Sequence, residues 1–186
     1  MNQYVALLRG INVGGHNLIA MPALKVCFEA QGFANVATYI QSGNVLFTAG
    51  RLDRRSLTRR IEAALSKTLG YPASVVVRSL EQMKAVVQDA PKGFGSRPAA
   101  YRYDVIFLKE PLTAREALQS VTVNPDVDRV FAGEGALYSS RLISKATQSH
   151  LNRLVTKPVY QQMTIRNWNT TTKLLGLMEQ LTSDGR

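Results

Sequence analysis

Strand and helix periods follow one another in this chain in an order that predicts an α+β protein. The first 80 residues run β-α-β-β-α-β, and a β-α-β-β order returns beyond residue 100. Between them lies the segment 91–98, with Gly93, Gly95 and two prolines, the natural place for a boundary. The six-element order is the split βαβ pattern of ferredoxin-like folds. The expectation is therefore two ferredoxin-like subdomains, 1–90 and 99–186, the second incomplete or rearranged.

Each element has its own signal. Tyr4-Val5-Ala6-Leu7-Leu8 is a short apolar run ended by Gly10, as a buried strand is. Met21-Pro22 opens a helix, with Leu24, Cys27, Phe28 and Gln31 at helical spacing and Gly32 as its stop. Residues 36–40 and 45–48 read as strands joined by a turn at Ser42-Gly43. Asp53 can cap the next helix, whose apolar stripe is Leu57, Ile61, Ala64 and Leu65 and whose end is Gly70. A strand over 74–78 and a helix over 80–88 complete the first half.

Beyond residue 98 a strand over 103–108 and a helix over 113–121 come first. Strands over 129–132 and 136–139 follow, joined by Gly133-Glu134-Gly135. A last helix has Asn167 or Asn169 as its cap and Leu174, Leu175, Met178 and Leu181 as its stripe. No final strand is evident before it, and no sequence repeat accompanies the repeated order.

Composition narrows the class. With 186 residues and 45% apolar side chains the chain is long enough for a core and not disordered. No apolar run reaches the roughly 20 residues of a membrane span, and Met1-Asn2-Gln3-Tyr4 does not open a signal peptide. A lone Cys27 forms no internal disulfide. The expected compartment is cytoplasmic. The net charge of +10 is uneven: +1 over residues 1–50, +6 over 51–100 and +3 over 101–186. Arg51, Arg54, Arg55, Arg59 and Arg60 supply most of the excess. Such a surface favours polyanions.

Three segments carry candidate chemistry. In Arg9-Gly10-Ile11-Asn12-Val13-Gly14-Gly15-His16-Asn17, the glycine pair lets backbone N–H groups face an anion beside a helix start. The loop lacks the Lys-Ser/Thr of a phosphate loop and the three-glycine dinucleotide fingerprint. Gln41-Ser42-Gly43-Asn44 is a hairpin turn whose amides reach the first loop if the first strand ends beside it. These two loops contain no carboxylate. Thr164-Ile165-Arg166-Asn167-Trp168-Asn169-Thr170 joins the only Trp to an Arg and two Asn, a combination that stacks rings or caps a helix. Ser144-Lys145 offers an anion contact at Lys145. No CxxC, HExxH or paired-His spacing exists, so neither a metal nor a cofactor is expected. Cys27 lies on its helix's apolar stripe and reads as core.

These motifs closely resemble the bacterial family catalogued as domain of unknown function 1697. The resemblance rests on the run from Tyr4 to Gly15, on Tyr39-Ile40-Gln41-Ser42-Gly43-Asn44-Val45, and on Arg166-Asn167-Trp168-Asn169-Thr170 with Lys173-Leu174. Ser144-Lys145 is similar to the family's Ser-Lys. The resemblance implies a cytosolic α+β protein of two ferredoxin-like halves and no established activity. Two departures stand out: His16 where Lys is common, and Thr171-Thr172 in place of a Val-containing step.

The functional expectation is a protein that binds a phosphate-bearing or nucleotide-like ligand in a basic, carboxylate-poor pocket between the subdomains. Gly14 and Gly15 would offer N–H groups. Arg9, Lys145 and Arg166 would bring charge. Asn12, Gln41, Asn44 and Asn167 would bring amides, and Trp168 a ring. The alternative is nucleic-acid binding by an open sheet face, with Tyr39 and Phe47 as its aromatics and Arg54, Arg55 and Arg59 beside it. A third reading is a metal-free transferase or hydrolase using His16 or Ser144. A fourth makes the motifs architectural.

Overall fold

The computed structural model describes residues 1–11 and 18–183. The chain runs β1 (Asn2–Leu8), α1 (Met21–Glu29), β2 (Ala34–Tyr39), β3 (Asn44–Ala49), α2 (Arg54–Leu69), β4 (Val75–Ser79) and α3 (Leu80–Gln88). It continues β5 (Tyr101–Leu108), α4 (Ala114–Gln119), β6 (Asp128–Gly133), β7 (Ala136–Leu142), β8 (Met163–Asn167) and α5 (Trp168–Ser183). The result is a mixed α+β protein with two four-stranded antiparallel sheets, ordered β2-β3-β1-β4 and β6-β7-β5-β8.

Two compact units result: Met1–Met83 with Leu174–Arg186, and Lys84–Lys173. The division passes through α3 and α5, whereas the glycine and proline content suggested a boundary over 91–98. Those residues mark turns as readily as linkers. Here they fold into successive tight turns, with Phe94 N–H on Pro91 O at 2.8 Å and Ser96 N–H on Gly93 O at 3.1 Å.

In the first unit, strand alternation turns Tyr4, Ala6 and Leu8 of β1, Val45 and Phe47 of β3, and Val75 and Val77 of β4 toward one core. Leu24, Cys27 and Phe28 of α1 and Leu57, Ile61 and Leu65 of α2 close it. Phe47 sits at its centre, 4.7 Å from the Phe33 ring, 5.4 Å from Phe28 and 5.6 Å from Tyr4. Phe47 is therefore no exposed platform for a base, which corrects one expectation. The opposite face of this sheet is also buried at Val5, Leu7, Leu46 and Val76, while Tyr39 on the edge strand is half-buried. Burial on both faces explains why these strands read as continuous apolar runs rather than alternating ones.

The helix signals are local and hold. Asp53 Oδ2 accepts the Ser56 N–H at 2.9 Å, and Gly70 ends α2 in the left-handed region at φ 75°. Thr113 and Glu116 form a reciprocal capping box on α4.

The second sheet corrects a further expectation. It has its fourth strand, β8, with Met163 and Ile165 on the core side and Thr164 and Arg166 on the other. The element that differs is the β7–β8 connection. Three 3-10 helices, Ile143–Gln148, Leu151–Thr156 and Pro158–Gln162, stand where the first unit has α2. Buried Asp128 pins this connection by accepting Ser149 Oγ–H at 2.7 Å and the His150 N–H at 2.9 Å.

The two sheets share one register. Val5 pairs with Leu46 and Arg78, and Val105 pairs with Tyr138 and Arg166 in the equivalent places. Each fourth strand then passes through one capping residue into a helix. Ser79 makes a capping box with Gln82, and Asn167 Oδ1 accepts the Asn169 N–H at 2.9 Å.

Two predictions follow from these contacts. A Cβ at Gly43 would lie 2.9 Å from Leu8 Cβ at φ +77°, whereas one at Gly10 (φ +66°) would meet nothing within 4 Å. Gly43→Ala is expected to cost about 1–3 kcal/mol in urea unfolding, and Gly10→Ala only the backbone part. Equal losses would show that the Leu8 contact is irrelevant. The second concerns pH. The Ser56 backbone N–H holds the Asp53 carboxyl below its ordinary value, and the Thr113 hydroxyl, then its N–H, do so for Glu116. Stability from both groups is complete above the ordinary carboxylate range and is lost as pH falls through their lowered folded-state values. Glu116→Gln should flatten the acid limb of a stability–pH curve, and an unchanged limb would reject the capping box as its source.

Candidate ligand cleft

The second unit's non-core sheet face starts from a simple alternation. Tyr101, Tyr103 and Val105 point to one side of β5. Across the ladder, Tyr103 pairs with Ser140, which pairs with Arg129, and Val105 pairs with Tyr138, which pairs with Phe131. Tyrosines, an arginine and an exposed phenylalanine thus share this face.

The 91–98 segment crosses this face as a strap. Its Phe94 ring meets Tyr103 at 4.9 Å and 68°, Trp168 at 5.1 Å and 88°, and Tyr138 at 5.5 Å and 75°. These edge-to-face contacts are the arrangement aromatic quadrupoles prefer. Gly95 makes the approach possible: at φ +83°, a Cβ there would sit 2.4 Å from the Trp168 indole. Arg97 covers the Tyr101 ring at 5.3 Å. Beneath the strap, Tyr138 Oη donates to Val86 O at 2.7 Å. Burial, then nearby Asp89, pushes its phenol up to about 12, so it remains a donor.

A cleft opens on each side of the strap, and both are lined by Tyr101 and Tyr103. The first, about 320 Å³, adds Arg102 of β5 and Asn167, Trp168 and Asn169 at the start of α5, with Gly95, Pro98 and Ile143 closing it. No carboxylate is among its lining residues. Asn167 is held from both ends, its amide donating to Tyr103 O at 3.3 Å while its oxygen caps α5. Arg102 Nε donates to Asp104 Oδ2 at 2.7 Å, yet its side chain stays 58% exposed. The second cleft, about 360 Å³, is lined by Lys92 and Phe94 of the strap, Arg129 and Phe131 of β6, and Asp126 among others.

The residues singled out in the sequence fall in several places. Asn167 and Trp168 line the first cleft. Arg166, one residue earlier, is buried, donating to Thr164 Oγ1 and Ile165 O at 2.9 Å each. Burial lowers its guanidinium to about 10, so it is still charged at neutral pH. These two bonds lie within β8 itself. Lys145 is exposed at a kink in the first 3-10 helix, two residues beyond Ile143.

Arg9, Gln41 and Asn44 belong to the other unit. There the turn does abut the end of β1, Leu8 N–H donating to Gly43 O at 2.8 Å. Asn44 is fully buried and both amide N–H groups serve the turn, on Tyr39 O and Ser42 Oγ at 3.0 Å. Exposed Ile40 holds φ 49°, an outlier for a β-branched side chain. Asn12, Gly14, Gly15 and His16 lie outside the described residues. On α2, Arg55 and Arg59 are exposed and Arg54 is half-buried, while Arg60 is docked on Gln31 O and over the Phe33 ring.

Sequence reasoning passed over Phe94, Gly95, Tyr101, Arg102 and Tyr103. Their signals were Tyr-Arg-Tyr at a strand start and a phenylalanine bracketed by Gly93 and Gly95. Among the described residues, no group of three or more His, Cys, Asp or Glu could hold a metal ion, and no helix is long and apolar enough to cross a membrane.

Comparison with known proteins matches this architecture. The conserved bacterial protein SP0830 from Streptococcus pneumoniae superposes with a TM-score of 0.84 at 25% identity, covering 96% of this chain and 99% of that one. No curated protein matches the sequence. Residues 1–138 match the family model described as protein of unknown function, DUF1697. With three-quarters of its length under that model, the chain belongs to the DUF1697 family.

Proposed function

We propose that the second unit binds a nucleotide-like ligand, one aromatic ring bearing a phosphate, in the cleft between the strap and the start of α5. The carrying observation is its lining. Three aromatic residues, an arginine paired with Asp104 and two asparagines line one cleft, and no carboxylate is among its lining residues. Tyr101, Tyr103 and Trp168 would offer ring faces, worth about 1–3 kcal/mol for a stacked base. Arg102 would take the phosphate, with exposed Lys145 as a further cation. Asn167 and Asn169 would read polar edges, and Arg166 would position Asn167 from within the sheet. At about 320 Å³ the cleft is at the small end of ligand sites, the scale of one nucleotide rather than two. We also read each unit as ferredoxin-like. The shared sheet order supports this, the three 3-10 helices replacing the second helix of the later unit.

Trp168 is the only tryptophan and lines the cleft, so its fluorescence reports binding directly. Titration with nucleoside mono-, di- and triphosphates is expected to quench or shift its emission. A ligand at 100 times its Kd should add about 2.7 kcal/mol to stability. Tyr101→Ala should weaken binding roughly 5- to 100-fold, the loss of one stacking face, and Arg102→Ala should weaken phosphorylated ligands more than nucleosides. No emission change and no stabilisation at millimolar nucleotide would overturn the reading.

Gly95→Ala supplies a separate check on the strap. The added Cβ meets the indole, so the Trp168 emission maximum should shift in the free protein and nucleotide affinity should fall at least tenfold. An unchanged spectrum and affinity would mean that the strap does not shape the cleft.

A further inference from the structure

The second cleft lies outside the single-nucleotide reading, yet it shares two tyrosines with the first and has cations of its own. Tyr101 and Tyr103 line both, so the two are separate spaces on one aromatic strip. Beyond the strap the strip continues to Phe131, which is 44% exposed, an uncommon setting for a phenylalanine on a sheet face beside an arginine. β5 and β6 are two strand spacings apart, about 10 Å, so Tyr103 and Phe131 are too far apart to share one base. Charge follows the same path. The residues lining the two clefts include four cations, Lys92, Arg97, Arg102 and Arg129, and one carboxylate, Asp126.

We infer that the two clefts together form a track for single-stranded nucleic acid. One base would stack in the first cleft and a neighbouring one against Phe131, and the phosphates would lie along Arg102, Arg97 and Lys92. This rests on the nucleotide reading of the first cleft and extends it to a polymer. The occupant follows from the arrangement. Rings spaced along a strip with cations between them match a strand whose bases are splayed and whose charge repeats. A duplex hides its base faces, so it would gain only the charge term.

The test compares a ten-residue oligo-uridine, a ten-residue oligo-thymidine, a duplex of the same length and a mononucleotide, all read by Trp168 fluorescence. Phe131→Ala and Lys92→Glu lie in the second cleft only, and both side chains are exposed. An unchanged melting temperature confirms that each variant folds. The single strand is expected to bind at least tenfold tighter than the mononucleotide. Three phosphate contacts at a slope of about 0.7 each imply roughly a 20-fold loss between 50 and 200 mM salt. Phe131→Ala and Lys92→Glu should each weaken the oligonucleotide five- to tenfold and leave the mononucleotide unchanged. Oligonucleotide binding no tighter than that of the mononucleotide, or untouched by both variants, overturns the track while the single-nucleotide cleft stands. Equal binding of duplex and single strand also overturns it, leaving charge attraction only. Failure of the mononucleotide and the oligonucleotide alike overturns both readings.

Discussion

The surface of the second unit depends on one ring. Phe94 stands edge-on to Tyr103, Tyr138 and Trp168, and each such pair adds about 0.5–1.5 kcal/mol beyond its buried area. Its ring is the strap's central hold on the sheet, with Arg97 over the Tyr101 ring as a second contact. The flanking glycines serve this placement. Gly93 and Gly95 take left-handed φ values, so the chain can descend to the sheet, deliver one side chain and leave again. What lies on either side of that side chain becomes two clefts instead of one open face. A segment whose composition suggests a linker is thus the part that shapes the site.

The shared register of the two sheets separates what the architecture requires from what each unit does with it. Arg78 and Arg166 occupy equivalent places opposite Val5 and Val105, and both are buried. Ser79 and Asn167 follow them, and each caps a helix. An arginine and a capping residue are therefore features of the strand-to-helix joint in both units. The difference lies one step further on, where Leu80 follows in the first unit and Trp168 in the second. Only the second joint presents an indole to a cleft, and only there do an asparagine and a tyrosine carbonyl meet beside it.

How much of this was legible in the sequence depended on how local each signal was. Asp53, Gly70, Thr113 and the Gly133-Glu134-Gly135 turn act on neighbours within a few residues, and the elements they bound could be read directly. β8 was missed because its five residues carry a threonine, an arginine and an asparagine, and its partner in β5 lies some sixty positions away. Polar residues were the hardest to place. Asn44 and Arg166 have the side chains a ligand would want, and both are buried: the Asn44 amide bonds its own turn, and the Arg166 guanidinium bonds its own strand. Asn167 and Trp168 do line a cleft, while its other wall, Tyr101 to Tyr103, looked like an ordinary strand start. No spacing rule links residues 94, 101 and 168, and only the sheet brings them together.

One feature of the chain's division bears on how the protein is made. The first unit owns both Met1–Met83 and Leu174–Arg186, and the whole of Lys84–Lys173 lies between them. A ribosome adding about 5–20 residues per second needs roughly 5–20 seconds to cross that interval. Throughout it, β1 to β4 have been synthesised, but Leu174 and Met178, both fully buried in the finished protein, have not. The later unit, which ends at Lys173, is synthesised in full before them. The unit that comes first along the chain is therefore the one completed last.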